Sequence, residues 1–260
     1  IIRYINKKSK YYKKIIAVAD SLEKLMRFAP ENSLDNYFLM VDEIDTFQFD
    51  SNFRPALERA IDYYWEHRQD KRSMVTATPI DFQADDNEPI TEIQANNYHK
   101  PRLIVKAVEA SSVKAYLVDF LIEQHQNPND QRKIVIAFNS VVGIKETIDM
   151  LKGKGISLND IAVMCSKNSG EEFPNTYAPL SAEGSLPGRK RFVFMTSAYF
   201  SGVDINEDYI NVMVSSHEKD HHLLTLRNMV QIAGRNRVSE GKHVLFIPLL
   251  NKEAKDVEGV

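Results

Sequence analysis

Short apolar runs of strand length recur along the chain at intervals filled by segments of helical period, and this alternation limits the possible fold more than any other feature. The runs are IIAVA (15–19), YFLMV (37–41), SMVTA (73–77), KIVIAF (133–138), DIAVM (160–164), RFVFMT (191–196), NVMVS (211–215) and HVLFI (243–247). They are apolar on both faces rather than alternating, as strands covered by helices on either side should be. Between them, helical period marks 21–28, 53–68, 112–126, 140–152 and 222–232. In the second of these, Leu57, Ala60, Ile61, Tyr64 and Trp65 recur at three and four residues, with Asn52 placed to cap. The pattern predicts an α/β protein with mainly parallel sheets flanked by helices.

A boundary is expected around 81–106, where DFQADDNEPITEIQANNYHKPR is polar and without clear period. It divides the chain into domains at 1–100 and 101–260. The stretch 166–190, rich in glycine and proline, reads as a long loop of the kind that is functional or mobile. The apolar runs all fall short of the roughly 20 residues a membrane span requires, so no membrane partner is expected. A lone cysteine, Cys165, excludes an internal disulfide framework and fits a reducing compartment such as the cytoplasm. Next to an apolar strand it reads as a small buried residue rather than a nucleophile. With a net charge of −3, any contact with nucleic acid must come from local patches.

In an open parallel sheet, ligands sit beyond the carboxyl ends of the strands. YFLMV runs into Asp42 and Glu43 at such an end. These acids either begin a solvated turn or hold a hydrated Mg²⁺ and orient a water. SMVTA leads to Thr76 and Thr78, which either close a β-branched strand before Pro79 or offer hydroxyls at the same edge. RFVFMT leads to Ser197, Gly202 and Asp204, where Gly202 would permit a tight turn or close backbone approach. MVQIAGRNR places Gln231, Gly234, Arg235 and Arg237 at a helix end, where arginine either complements the helix dipole or forks a phosphate. RYINKKSKYYKK (3–14) mixes basic residues with tyrosines, suiting either a solvated face or a strand of nucleic acid. HEKDHH (217–222) reads as a polar loop rather than a metal site.

The order of these segments is more telling than any one of them. VDEID (41–45), TAT (76–78), IAFNS (136–140), TSAYFSGVD (196–204) and QIAGRNR (231–237) together resemble motifs II to VI of superfamily 2 helicases over nearly the whole chain. The resemblance implies two RecA-like domains, the first shortened at its amino-terminal side, with ATP and Mg²⁺ as cofactors and nucleic acid as partner, DNA ahead of RNA. Asp42 and Glu43 would serve the metal, and Glu43 the hydrolytic water. Thr76 and Thr78 would couple the nucleotide to the strand. Gln231, Arg235 and Arg237 would reach the phosphates from the second domain, with Gly202, Asp204 and Gly234 beside the nucleotide. Ser21, Asn139, Ser140, Thr196 and Ser197 would contact the strand.

The chain departs from the family pattern in two places. The last motif reads Q-x-x-G-R-x-R instead of Q-x-x-G-R-x-x-R, leaving open which arginine is the finger. No G-x-x-x-x-G-K-[ST] occurs, so the phosphate cradle is expected upstream of Ile1. The resulting expectation is part of an ATP-dependent helicase or translocase that turns over little ATP by itself. The alternatives are a non-hydrolysing nucleic-acid-binding module on the same scaffold, or a double-stranded-DNA translocase subunit of a restriction or remodelling complex.

Overall fold

The computed structural model describes residues 15–28, 34–44, 47, 55–76, 91, 93, 102–236, 238 and 242–249. The chain divides into two compact units, Ile1–Thr91 and Glu92–Val260.

In the first unit, helix α1 (Leu22–Phe28) precedes strand β1 (Leu39–Asp42), and helix α2 (Pro55–Glu66) links it to strand β2 (Arg72–Val75). The two strands are parallel, with Leu39 opposite Arg72 and Asp42 opposite Val75. Leu57, Ala60 and Tyr64 of α2 are buried at the helical spacing seen in the sequence. Tyr64 joins Val41 and Ile44 in a small core, against which Leu39, Ile61 and Met74 pack. Arg72 caps the end of α2. Its guanidinium donates to the carbonyls of Tyr64 and His67, each at 2.9 Å, and lies over the rings of Tyr64 and Trp65.

One expected strand does not form here. Residues 15–18 are irregular, and Ile16 and Val18 are 85% and 66% exposed. A strand needs a neighbour to take its amides, and the described sheet of this unit holds β1 and β2 alone.

The second unit is built on strands β3 (Arg102–Glu109), β4 (Lys133–Phe138), β5 (Ile161–Met164), β6 (Phe192–Met195), β7 (Tyr209–Val214) and β8 (Lys242–Leu249). All pair in parallel, in the order β3-β8-β7-β4-β6-β5. The helices are α3 (Val113–Gln126), α4 (Val141–Gly153), the single turn α5 (Lys167–Gly170) and α6 (Leu226–Ala233). From β4 the chain crosses through α4 to β5, returns to β6, and then moves to β7 on the other side of β4. The crossovers therefore diverge at β4, and a crevice opens at the carboxyl ends of its neighbours.

The burial of β4 explains its unbroken apolar sequence. Ile134, Ile136 and Phe138 join a core with Leu117 and Leu121 of α3, while Val135 and Ala137 join another with Ile232 of α6. Each face has its own cover, so every position from Ile134 to Phe138 is apolar.

Three sequence expectations are corrected in this unit. Strand β3 begins inside the stretch read as a polar boundary. It lies at the sheet edge beside β8, with Leu103 and Val105 about half exposed at 50% and 51%, so it shows neither a buried run nor a clear hydrophobic face. Helix α6 starts at Leu226 rather than at 222, because Thr225 and Asn228 form a capping box there, and residues 220–222 make a separate 3₁₀ turn. The 166–190 segment carries α5, and Tyr177 bridges alongside Val163 of β5. Among the described residues, no helix is long and apolar enough to cross a membrane.

Candidate nucleic-acid interface

In the first unit, the register of β1 and β2 brings Asp42 and Thr76 to one edge, since Thr76 directly follows the partner of Asp42. Asp42 is exposed, and its Oδ1 accepts the Glu43 N–H at 2.9 Å. Glu43 has φ +52°, a left-handed conformation that a side chain with a Cβ rarely adopts. The turn at Glu43 drops Ile44 into the core and leaves both carboxylates at the strand end. Ser21 closes a 3₁₀ turn in the same unit, donating its N–H to the Val18 carbonyl at 2.8 Å. Thr78 lies outside the described residues.

In the second unit, the ends of the central strands enclose a cleft of about 570 Å³. Asn139, Ser140, Thr196 and Ser197, each expected at the interface, line it together. They follow β4 and β6 directly, so strand register sets their spacing. Asn139 is the keystone. Its Oδ1 accepts the Ser197 N–H at 3.1 Å, and its Nδ2 donates to the His221 carbonyl at 2.7 Å, joining the ends of β4 and β6 to the loop after β7. Ser140 caps α4, its Oγ accepting the Gly143 N–H at 3.0 Å, so the amino-terminal turn of that helix faces the cleft through Val141 and Val142. Such a turn favours an anion.

The cleft also contains residues not expected at the interface: Ser166 and Ser169, and Glu218, Lys219, His221 and His222 of the run read as a polar loop. Ser166 carried a readable signal, since it lies just past the end of β5, after Cys165, much as Asn139 lies past β4. The histidine loop did not, because a run of polar residues gives no clue to what it packs against.

The arginine motif forms a different cluster. Arg235 is buried. Its Nε donates to the Gln231 carbonyl at 2.9 Å, Nη1 to the Val203 carbonyl at 2.8 Å, and Nη2 to Gln231 Oε1 at 3.0 Å. Its own carbonyl accepts the Ile205 N–H at 3.0 Å. In this conformation Arg235 binds α6 to the 203–205 segment rather than presenting its fork outward. Gln231 is buried in the same knot. Arg237 lies outside the described residues. Gly202 has φ +71° with no atom within 4 Å of where a Cβ would sit, so its conformation rather than crowding within the chain requires glycine. Asp204 is exposed beside it, and Gly234 ends α6. Cys165 is buried, and burial pushes its thiol up, away from the thiolate a nucleophile needs.

No family model and no curated protein matches the chain. Solved structures do match. The chain is 14% identical to S. cerevisiae Dbp5, solved bound to RNA and ADP BeF3, with a TM-score of 0.54 over 93% of this chain and 62% of that one. It is 16% identical to the DEAD-box helicase Mss116, solved bound to ssRNA and UDP-BeF, with a TM-score of 0.57 over 94% of this chain and 50% of that one. The chain thus spans between 50% and 62% of the length of these structures. At such identities the likeness is one of fold, and it agrees with the parallel, helix-flanked sheet. The chain shares its fold with these solved structures.

Proposed function

We propose that this chain binds single-stranded nucleic acid in the cleft of its second unit, as the strand-handling part of an ATP-dependent helicase or translocase. The observation that carries the proposal is the convergence of Asn139, Ser140, Ser166, Thr196, Ser197 and Lys219 at the carboxyl ends of adjacent parallel strands. Hydroxyls, an amide, a lysine and a helix amino terminus form a surface for phosphate and sugar oxygens, and none of them reads a base edge by itself. RNA replaces DNA as the proposed strand, since both similar structures named above were solved with RNA.

ATP and Mg²⁺ belong to the same proposal. Among the described residues no three metal-ligating side chains converge. That suits Mg²⁺, which keeps much of its water and binds through one or two carboxylates and substrate phosphates. Asp42 would hold the ion's water shell, and Glu43 would orient the attacking water. The bound ion would neutralise charge on the transferred phosphoryl group. With no G-x-x-x-x-G-K-[ST] in the sequence, turnover is assigned to a longer protein that supplies that loop.

Fluorescence anisotropy with a labelled single-stranded RNA of about 12 nucleotides tests the cleft. Binding should weaken with salt, and S197E and K219E should each weaken it roughly tenfold by setting a carboxylate among the phosphates. Wild-type affinity in both variants would refute the assignment. The same titration with single-stranded DNA decides between the two strands.

A further inference from the structure

The loop from Ser215 to His222 forms one wall of the cleft and is tied down from two sides. Asn139 Nδ2 holds the His221 carbonyl, and Lys114 Nζ, from α3, donates to Glu218 Oε1 at 2.8 Å while also pairing with Glu146 of α4. Between these ties lies His222, only 5% exposed. Its backbone is satisfied: the N–H donates to the Lys219 carbonyl at 2.9 Å, and the carbonyl accepts the Ser216 N–H at 3.2 Å. Its side chain is not. The ring lines the cleft, yet Nδ1 is shielded from solvent and has no hydrogen-bond partner. Glu218 Oε2 stands 3.9 Å from it. The His221 ring meets it edge-on at 4.4 Å between centroids. The charged and titratable groups facing the imidazole are thus His221, Glu218 and Lys219 of its own loop and Lys114 of α3.

Resting on the strand-binding proposal above, we propose that His222 is a proton-driven latch for the cleft. Taking a proton from solvent makes Nδ1 a charged donor, and Glu218 Oε2 closes the 3.9 Å gap to accept from it, loosening its pairing with Lys114. The charge of the wall changes with it. Lys219 and Glu218 are the lysine and the carboxylate of the lining and cancel one another, whereas a protonated His222 leaves the lining with a net positive charge. A polyanionic strand then binds more tightly as pH falls, and by reciprocity strand binding draws a proton onto His222.

The sign of the free-protein equilibrium agrees. Burial pushes the imidazole below its ordinary value, His221 adds to the shift, and Glu218 opposes it. The stability contributed by neutral His222 is complete above about pH 6.5 and is lost as pH falls toward the lowered value. A bound strand offsets that loss.

The test is anisotropy with single-stranded RNA at constant ionic strength from about pH 8 to about pH 5, with the His222 ring followed by NMR in parallel. Wild-type affinity should rise about fivefold over this range and that of H222Q less than about twofold. An H222Q protein that follows the wild-type curve overturns the latch. E218Q gives a second arm that leaves the imidazole in place: it should lower the His222 pKa further and remove the gain in affinity, and an unchanged pKa overturns the proposed pairing. Strand binding that is present but independent of pH overturns the latch alone. No binding at any pH overturns the strand-binding proposal and, with it, the latch's role.

Discussion

Glu43 sits in a left-handed turn that costs roughly 1–2 kcal/mol for a residue with a Cβ. If the turn alone mattered, glycine would serve as well. E43G should therefore leave the stability of the chain within about 1 kcal/mol of wild type in a urea melt, because relief of strain and loss of backbone entropy oppose one another. In a longer protein that carries the phosphate loop, E43Q should lower nucleic-acid-stimulated ATP turnover at least about a hundredfold. Turnover unchanged by E43Q would leave the non-hydrolysing module as the better description. At this scale, the position of Asp42 and Glu43 at a strand end was legible because an apolar run that stops in acids marks where burial stops. The occupation of Arg235 was not. A one-dimensional pattern shows a guanidinium near a helix end, but only the folded chain shows the Val203 carbonyl waiting beside it.

Among the elements, α4 joins core and cleft most directly. Gly143 lies in its first turn, where an added Cβ would sit 2.5 Å from Phe138 Cζ and 3.0 Å from Ser140 Oγ. G143A gains up to about 1 kcal/mol in helix propensity but overpacks a buried ring, which typically costs about 1–3 kcal/mol. The expected net result is a loss of about 1 kcal/mol in chemical denaturation and weaker strand binding, as Phe138 and the Ser140 cap shift together. A variant as stable as wild type would show that the ring can move aside. Elements were legible in proportion to how completely they are buried. KIVIAF announced β4 because both of its faces are covered, whereas β3 hid at an edge with half-exposed leucine and valine. The start of α6 was misplaced because residues 217–225 hold both the 3₁₀ turn and the true cap, and either could open a helix.

At the scale of the whole molecule, the two units differ in the cores their described residues form. Among those residues the first unit has a two-stranded sheet and a core centred on Val41, Ile44 and Tyr64, while the second has a six-stranded sheet covered on both faces. Native-state hydrogen exchange should therefore protect the amides of β4, β6 and β7 most, with those of β1 and β2 exchanging at least about tenfold faster. Equal protection would mean that the first unit draws stability from more than its described core. The alternation of apolar runs with segments of helical period disclosed the α/β architecture, because strands covered on both faces are apolar throughout. The cleft was only half legible, since Lys219, His221 and His222 reach it through the folded path of a loop.

The pairing of β3 with β8 carries a consequence for how the protein is made. Arg102 lies opposite Lys242, more than half the chain later, and β3 has no other strand partner among the described residues. On the ribosome the first strand of this sheet is made before β4 to β7 and must wait, without a strand partner, until β8 has emerged. Until then the backbone groups of β3 have no sheet partner, and it is during that interval, rather than after release, that a chaperone would be of most use.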